Sequence, residues 1–184
     1  MNKISRLWAL VITISILALG AVVANSNSPS SAEGGCAGQA YVTDANDGTV
    51  SVINTATNSV VGSPITVGDV PLGVAITPNG AFAYVTNGGD DNVSVISTAT
   101  NAVVGLPIAV GDNPFGVAIT PDGTKAYVTN FQDDNVSVID TATNAVVGSS
   151  ITVGTNPRGV AICPAAVVPP VTPTDPAVVL KFTG

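Results

Sequence analysis

The sequence predicts an all-β fold built from copies of one four-stranded antiparallel unit. Three observations predict it. The tripeptide Tyr-Val-Thr begins at Tyr41, Tyr84 and Tyr127, an unvarying step of 43 residues. The surrounding sequence keeps the same step: Val50–Ile53 returns as Val93–Ile96 and Val136–Ile139, and Thr55–Asn58 as Thr98–Asn101 and Thr141–Asn144, the signature of a repeat architecture. The recurring segments are rich in Val, Ile, Thr and Tyr, turn residues separate them, and no stretch carries a helical apolar period.

Residues 1–24 come first. Lys3 and Arg6 precede the apolar run Leu7–Val23, and Val22-Val23-Ala24 offers a small-residue exit, the pattern of a secretory signal peptide. No basic stop-transfer flank follows Val23, so an exported chain is expected, periplasmic, extracellular or on the cell surface, with no membrane residence after cleavage. Residues 25–38 are a polar, Ser- and Gly-containing flexible lead-in. Residues 39–164 hold the repeats. One full set of strands, called A to D, reads Gly73–Thr77, Phe82–Asn87, Asn92–Ser97 and Ala102–Val110, with breaks at Pro78-Asn79-Gly80, Gly88–Asp91 and Gly111–Pro114. The region opens on a B strand, Gln39–Thr43, and closes on a lone A strand, Gly159–Cys163. Residues 165–184 are a Pro-rich spacer followed by one more strand signal, Ala177–Thr183.

Four antiparallel strands in about 43 residues is the size of one β-propeller blade. The expected architecture is three such blades, a partial ring or half of a six-bladed dimer. The chain resembles the YVTN-repeat β-propeller family through Tyr84–Asn87, Tyr127–Asn130 and the octapeptide Gly116–Gly123, with Tyr41–Asp44 departing at its last position. The resemblance covers about Gln39 to Pro164. It implies exported propellers of cell surfaces and surface layers, related to lactonase and quinoprotein-dehydrogenase propellers.

Closed propellers use about four blades or more. Two chains joined head to tail satisfy both open ends with one repeated contact; the alternative is an open arc or a fragment of a longer propeller. In repeat coordinates Cys36 takes the place of Asn79 and Asp122, and Cys163 that of Thr77 and Thr120. Those places lie two residues apart in the A–B turn, so a Cys36–Cys163 disulfide is expected to staple the seam, interchain in a dimer.

The net charge is −7, charged residues are 9% and there is no His. Ser-His-Asp chemistry and His metal ligation are excluded, and the acidic balance argues against nucleic acid. The acids are unevenly placed. Asp44, Asp47, Asp90, Asp91, Asp133 and Asp134 fall on B–C turns, and Asp69 and Asp112 on D–A turns, connections that share one end of a four-strand meander. This predicts an acidic docking face for a protein or surface-polymer partner. The turns lack EF-hand spacing, so no metal site is expected. Arg158 replaces Leu72 and Phe115 near the centre of any ring, where an ion pair with Asp112 is expected ahead of an anionic ligand. No catalytic residue set and no cofactor are expected. The reading is a non-catalytic exported interaction or structural module; the alternatives are a minimal lactonase-like hydrolase and a non-functional fragment of a longer propeller.

Overall fold

The computed structural model describes Cys36 and residues 38–164; the readings for 1–35 and 165–184 lie outside the described residues. Among the described residues fourteen strands and no helix form three antiparallel sheets. Sheet 1 contains β1 (Gln39–Asp44), β2 (Thr49–Asn54), β3 (Ser59–Val60) and β4 (Ile65–Thr66). Sheet 2 contains β5 (Pro71–Ile76), β6 (Phe82–Asn87), β7 (Asn92–Ser97), β8 (Ala102–Val103) and β9 (Ile108–Ala109). Sheet 3 contains β10 (Pro114–Ile119), β11 (Lys125–Asn130), β12 (Asn135–Asp140), β13 (Ala145–Val146) and β14 (Ile151–Thr152). The hydrogen-bonded order follows the chain, and β6 pairs β7 from Phe82↔Ser97 to Asn87↔Asn92 without a slip, as β11 pairs β12 from Lys125↔Asp140 to Asn130↔Asn135. This is the meander of a propeller blade.

The B strands show why the blades stack. In β6 every residue from Ala83 to Asn87 is buried, because a sheet covered on both faces hides both sets of alternating side chains. One apolar layer lies between sheets 1 and 2, with Val50, Val52 and Ile65 against Ala83, Val85 and Ile96. Its counterpart between sheets 2 and 3 sets Val93, Val95 and Ile108 against Ala126, Val128 and Ile139. Each fully buried Val or Ile contributes about 1.5–3 kcal/mol, so these layers are the main cohesion between blades.

Polar clasps fix the register of that stacking. The Tyr41 hydroxyl donates to Asn101 Oδ1 at 2.6 Å, and Tyr84 to Asn144 Oδ1 at 2.6 Å. The Thr43 hydroxyl donates to the Leu72 carbonyl at 2.9 Å, Thr86 to that of Phe115 at 2.8 Å and Thr129 to that of Arg158 at 3.0 Å. Consecutive A strands approach so closely that a Cβ on Gly73 would lie 2.5 Å from the Phe115 carbonyl oxygen, and one on Gly116 would collide with that of Arg158.

Two expectations are corrected. The D strand is not continuous: Ala102–Val110 divides into β8 and β9, both pairing β7. Gly105 turns to φ 73 and Pro107 brings no N–H to the ladder. The segment from Gly159 to Cys163 is not a strand: among the described residues no B strand of a following blade lies beside it. Within one chain Cys36 and Cys163 are both free, and among the described residues the main contacts between sheets join those adjacent in sequence.

Gly116→Ala is expected to lower stability by about 1–3 kcal/mol, the cost of forcing backbone apart in a packed interface. Urea unfolding of the variant checks it; a loss below about 0.5 kcal/mol would mean that the A strands separate freely.

Candidate functional site

The B–C turns and the connections between blades meet on one face, and the acidic residues do different work there. Asp90 Oδ2 accepts from the Asp69 amide at 2.8 Å, on the connection arriving from sheet 1. Its neighbour Asp91 accepts from the Asn113 amide at 2.8 Å, on the connection leaving for sheet 3. The third copy repeats this: Asp133 takes the Asp112 amide at 2.9 Å and Asp134 the Asn156 amide at 2.7 Å. A carboxylate receiving an amide N–H makes a charge-assisted bond, so each acid pair ties one turn to the loops on both sides of its blade. The second position of the pair is left-handed, with φ 55 at Asp91 and φ 53 at Asp134. In the first copy Gly48 stands there at φ 64, beside Asp47.

Asp44 is different again. Its Oδ2 accepts from the Ser51 hydroxyl at 2.7 Å and the Thr49 hydroxyl at 3.3 Å. The corresponding Asn87 donates from Nδ2 to Asn92 Oδ1 at 2.7 Å and Ser94 Oγ at 2.9 Å. Asp replaces Asn where Thr49 replaces Asn92, so the donor and acceptor roles invert together.

Asp47, Asp69 and Asp112 remain. All three are exposed, and among the described residues their carboxylates accept no hydrogen bond. Asp47 and Asp69 line a cavity of about 390 Å³ together with Asn46, Val70 and Gly89. Among the described residues no three His, Cys, Asp or Glu side chains converge as metal ligands would. The face presents acceptor oxygens and negative charge on loops whose backbone is pinned.

Arg158 corrects the expected ion pair with Asp112. Its guanidinium lies over the rings of Phe115 and Phe131, 5.1 and 4.9 Å from their centroids. The two rings stand 6.3 Å apart. A delocalised cation stacks well on aromatic faces. Phe131 stands where the second copy has Gly88, and a one-off substitution in a turn gave the sequence reading no periodic signal. The Asn101 and Asn144 acceptors of the Tyr clasps were also missed, although each recurs 60 residues after its Tyr.

On the opposite face Asp122 and Asp140 close turns. The hydroxyl of Thr120, then the amide and hydroxyl of Thr124, hold the Asp122 carboxyl below its ordinary 3.8. Asp140 is held below 3.8 mainly by the Thr143 amide and hydroxyl, with the Ala142 amide and the Lys125 charge adding. Burial raises the phenol of Tyr84, with the Asp140 charge adding.

No family model matches the chain, and no curated protein matches it. Solved structures do. Hydrazine synthase of Kuenenia stuttgartiensis superposes with a TM-score of 0.63 at 32% identity, over 68% of this chain and 36% of that one. The dihydro-heme d1 dehydrogenase NirN, solved with DHE, gives 0.53 at 19% identity over 62% and 24%. A functionally unknown protein from Desulfotomaculum acetoxidans gives 0.53 at 18% over 67% and 42%. The protein has a β-propeller fold, and it spans less than half the length of these chains.

Asp90→Ala is expected to cost about 1 kcal/mol, the typical net worth of one hydrogen bond, and Asp90→Asn, which keeps an acceptor, clearly less; urea melts of both variants check the order. A second expectation concerns acid. A carboxyl with a depressed folded pKa lends stability that is complete above its unfolded value of 3.8 and is lost as pH falls through the folded value. The first copy already folds with Asn54 in the place of Asp140, its Oδ1 accepting the Ala56 and Thr57 amides at 2.9 and 3.1 Å. Asp122→Asn with Asp140→Asn should therefore keep the fold and lose less stability than the parent as pH falls below 3.8. Equal losses in thermal melts across that range would contradict it.

Proposed function

We propose that the protein is a non-catalytic, exported β-propeller module of the YVTN-repeat type, acting as an interaction or structural element at the cell surface through its acidic loop face. The observation that carries this reading is the division of labour among the carboxylates. Asp90, Asp91, Asp133 and Asp134 hold loops to blades. Asp47, Asp69 and Asp112 stand exposed on the frame so made. A pre-set, like-charged surface suits docking of a cationic protein segment or surface polymer, because its loops lose little freedom on binding. The apolar run Leu7–Val23 with its small-residue exit supports export, and the Tyr-Val-Thr-Asn and Gly-Val-Ala-Ile-Thr-Pro-Asp-Gly segments support the family.

The test expresses the chain from residue 1 in a bacterial cell. Intact cells are then fractionated and treated with protease, and the purified exported chain is titrated with poly-lysine. Export and weakening of poly-lysine binding by Asp47→Asn/Asp69→Asn/Asp112→Asn are expected, with unchanged thermal melting. The contrast should be largest at about 0.01 M ionic strength, where charges act over about 30 Å, and should fade at physiological salt. Retention in the cytosol, unchanged affinity in the triple variant, or turnover in a lactone hydrolysis assay would each overturn the reading.

A further inference from the structure

We infer that the two open ends of the blade series are complementary halves of one interface. A second copy of this chain closes them into a head-to-tail, six-bladed ring stapled by bonds from Cys36 of each copy to Cys163 of the other. The chain already makes this interface twice, between sheets 1 and 2 and between sheets 2 and 3. Adding the 43-residue step therefore gives the third and fourth occurrences residue by residue, and the unused surfaces match them.

The open face of sheet 3 is an interior face. Ile65 and Ile108, which the next blade covers, are 7% and 6% exposed, whereas their counterpart Ile151 is 47% exposed. Tyr127 is only half-buried, where Tyr41 and Tyr84 are buried. Those two donate to the Asn 60 residues further on; the equivalent acceptor for Tyr127 is the second copy's Asn58, which carries the same φ of 50 as Asn101. Sheet 1 presents the other half. Val85 and Val128 are fully buried against the preceding blade, and their counterpart Val42 is 42% exposed.

The strand that would join the halves is already in position. Thr129 holds the Arg158 carbonyl at 3.0 Å, as Thr43 and Thr86 hold those of Leu72 and Phe115. Yet among the described residues, 157–162 have no ladder partner, and β1 pairs only with β2. Intact blades pair Pro71↔Asn87, Val74↔Val85, Ala75↔Tyr84 and Ile76↔Ala83, and again Pro114↔Asn130 to Ile119↔Ala126. One more step pairs Pro157, Val160, Ala161 and Ile162 with the second copy's Asp44, Val42, Tyr41 and Ala40, a case of strand addition at a free edge. Gly159 fits the same register. A Cβ on Gly73 or Gly116 would strike the next A strand, but one on Gly159 meets nothing; the second copy's Leu72 carbonyl belongs in that space.

The cysteines fall at the turn this pairing completes. In the two intact turns the corresponding side chains touch, Thr77 Oγ1 to Asn79 Oδ1 at 2.7 Å and Thr120 Oγ1 to Asp122 Oδ1 at 2.5 Å. Cys163 stands for the Thr and the second copy's Cys36 for the acceptor, so the two sulfurs are brought within bonding reach across the seam. Each Sγ–Sγ bond consumes one disulfide of an oxidant such as oxidised glutathione. That disulfide breaks, takes the electron pair and both thiol protons, and leaves as two reduced thiols. A cyclic arrangement forms two such bonds by symmetry.

The inference rests on blade register and not on the role proposed above, so either can fail alone. The chain is expressed from residue 1, purified from the exported fraction, and incubated with oxidised glutathione. Light scattering should give twice the mass of one chain. Isotopically heavy and light chains, mixed while reduced and then oxidised, should yield Cys36–Cys163 peptides of mixed mass. Cys36→Ser/Cys163→Ser should still dimerise, more weakly. Gly159→Ala should leave the circular dichroism of the monomer unchanged and weaken dimerisation of the cysteine-free chain about tenfold or more, and Tyr127→Phe should weaken it less. A monomer, whether its edge is open or covered by its own tail, overturns the inference. So do filaments or any other stoichiometry, linked peptides of unmixed mass only, and unchanged dimer affinity in Gly159→Ala.

Discussion

The approach of consecutive A strands, backbone to backbone, governs everything else in this molecule. Thr86 sits at the crossing: its hydroxyl accepts from the Gly73 amide at 2.8 Å and donates to the Phe115 carbonyl at 2.8 Å. Thr129 does the same between Gly116 and Arg158. One side chain thus satisfies a donor in its own blade and an acceptor in the next. The glycines are needed because any side chain there would enter the neighbouring strand. With that spacing set, the valines of one blade reach those of the next, and each Tyr reaches an Asn 60 residues on. The four residues of the Tyr-Val-Thr-Asn motif each take part: Tyr and Thr clasp the next blade, Val fills the layer against the preceding one, and Asn braces the B–C hairpin within its own blade.

This division explains how a chain with only 9% charged residues stays specific. Apolar layers of Val and Ile are non-directional and tolerate sliding; hydrogen bonds from buried side chains do not. The bracing carries a cost. Among the described residues Asn87 Oδ1 and Asn130 Oδ1 are buried without partners, and an orphaned buried acceptor costs about 1–3 kcal/mol. Asp44, which accepts two hydroxyls in the same place, faces Thr49 and Ser51 where Asn87 faces Asn92 and Ser94.

The repeat period made the blade count, the strand order and the B and C strands legible, because every element recurred with its turns. What escaped was whatever happens once or across blades. The D strand read as one run from Ala102 to Val110; its division at Gly105 and Pro107 follows from local backbone chemistry that an apolar count overlooks. Arg158 was assigned to Asp112 by charge, but two phenylalanines brought together by the fold offered a larger surface than one exposed carboxylate. The use of the acidic turns as receptors for backbone amides depends on left-handed geometry at Asp91 and Asp134, which composition does not encode. Val70 shows the same limit: it holds φ 52 where Asn113 and Asn156 stand in the other copies, and a β-branched residue is the least suited to that conformation.

Stacked-repeat folds are stabilised by neighbours, so the outer faces of terminal units reveal what lies next to them. A unit that ends a stack is made polar on its outward side, since nothing repays the exposure of an apolar layer. Neither end of this series is treated that way. Ile151 and Val153 face outward at 47% and 41% exposure, and Val42 at 42%. The residue types at these positions are those of the buried copies, not of a cap. Arg158, a departure from Leu72 and Phe115, stacks on Phe115 and Phe131 of its own chain, and among the described residues the strand edge beside it is unpaired. Among the described residues the two ends therefore keep the side chains of the interior layers, and the exposed Ile151, Val153 and Val42 are what sets them apart from the matching positions inside the stack.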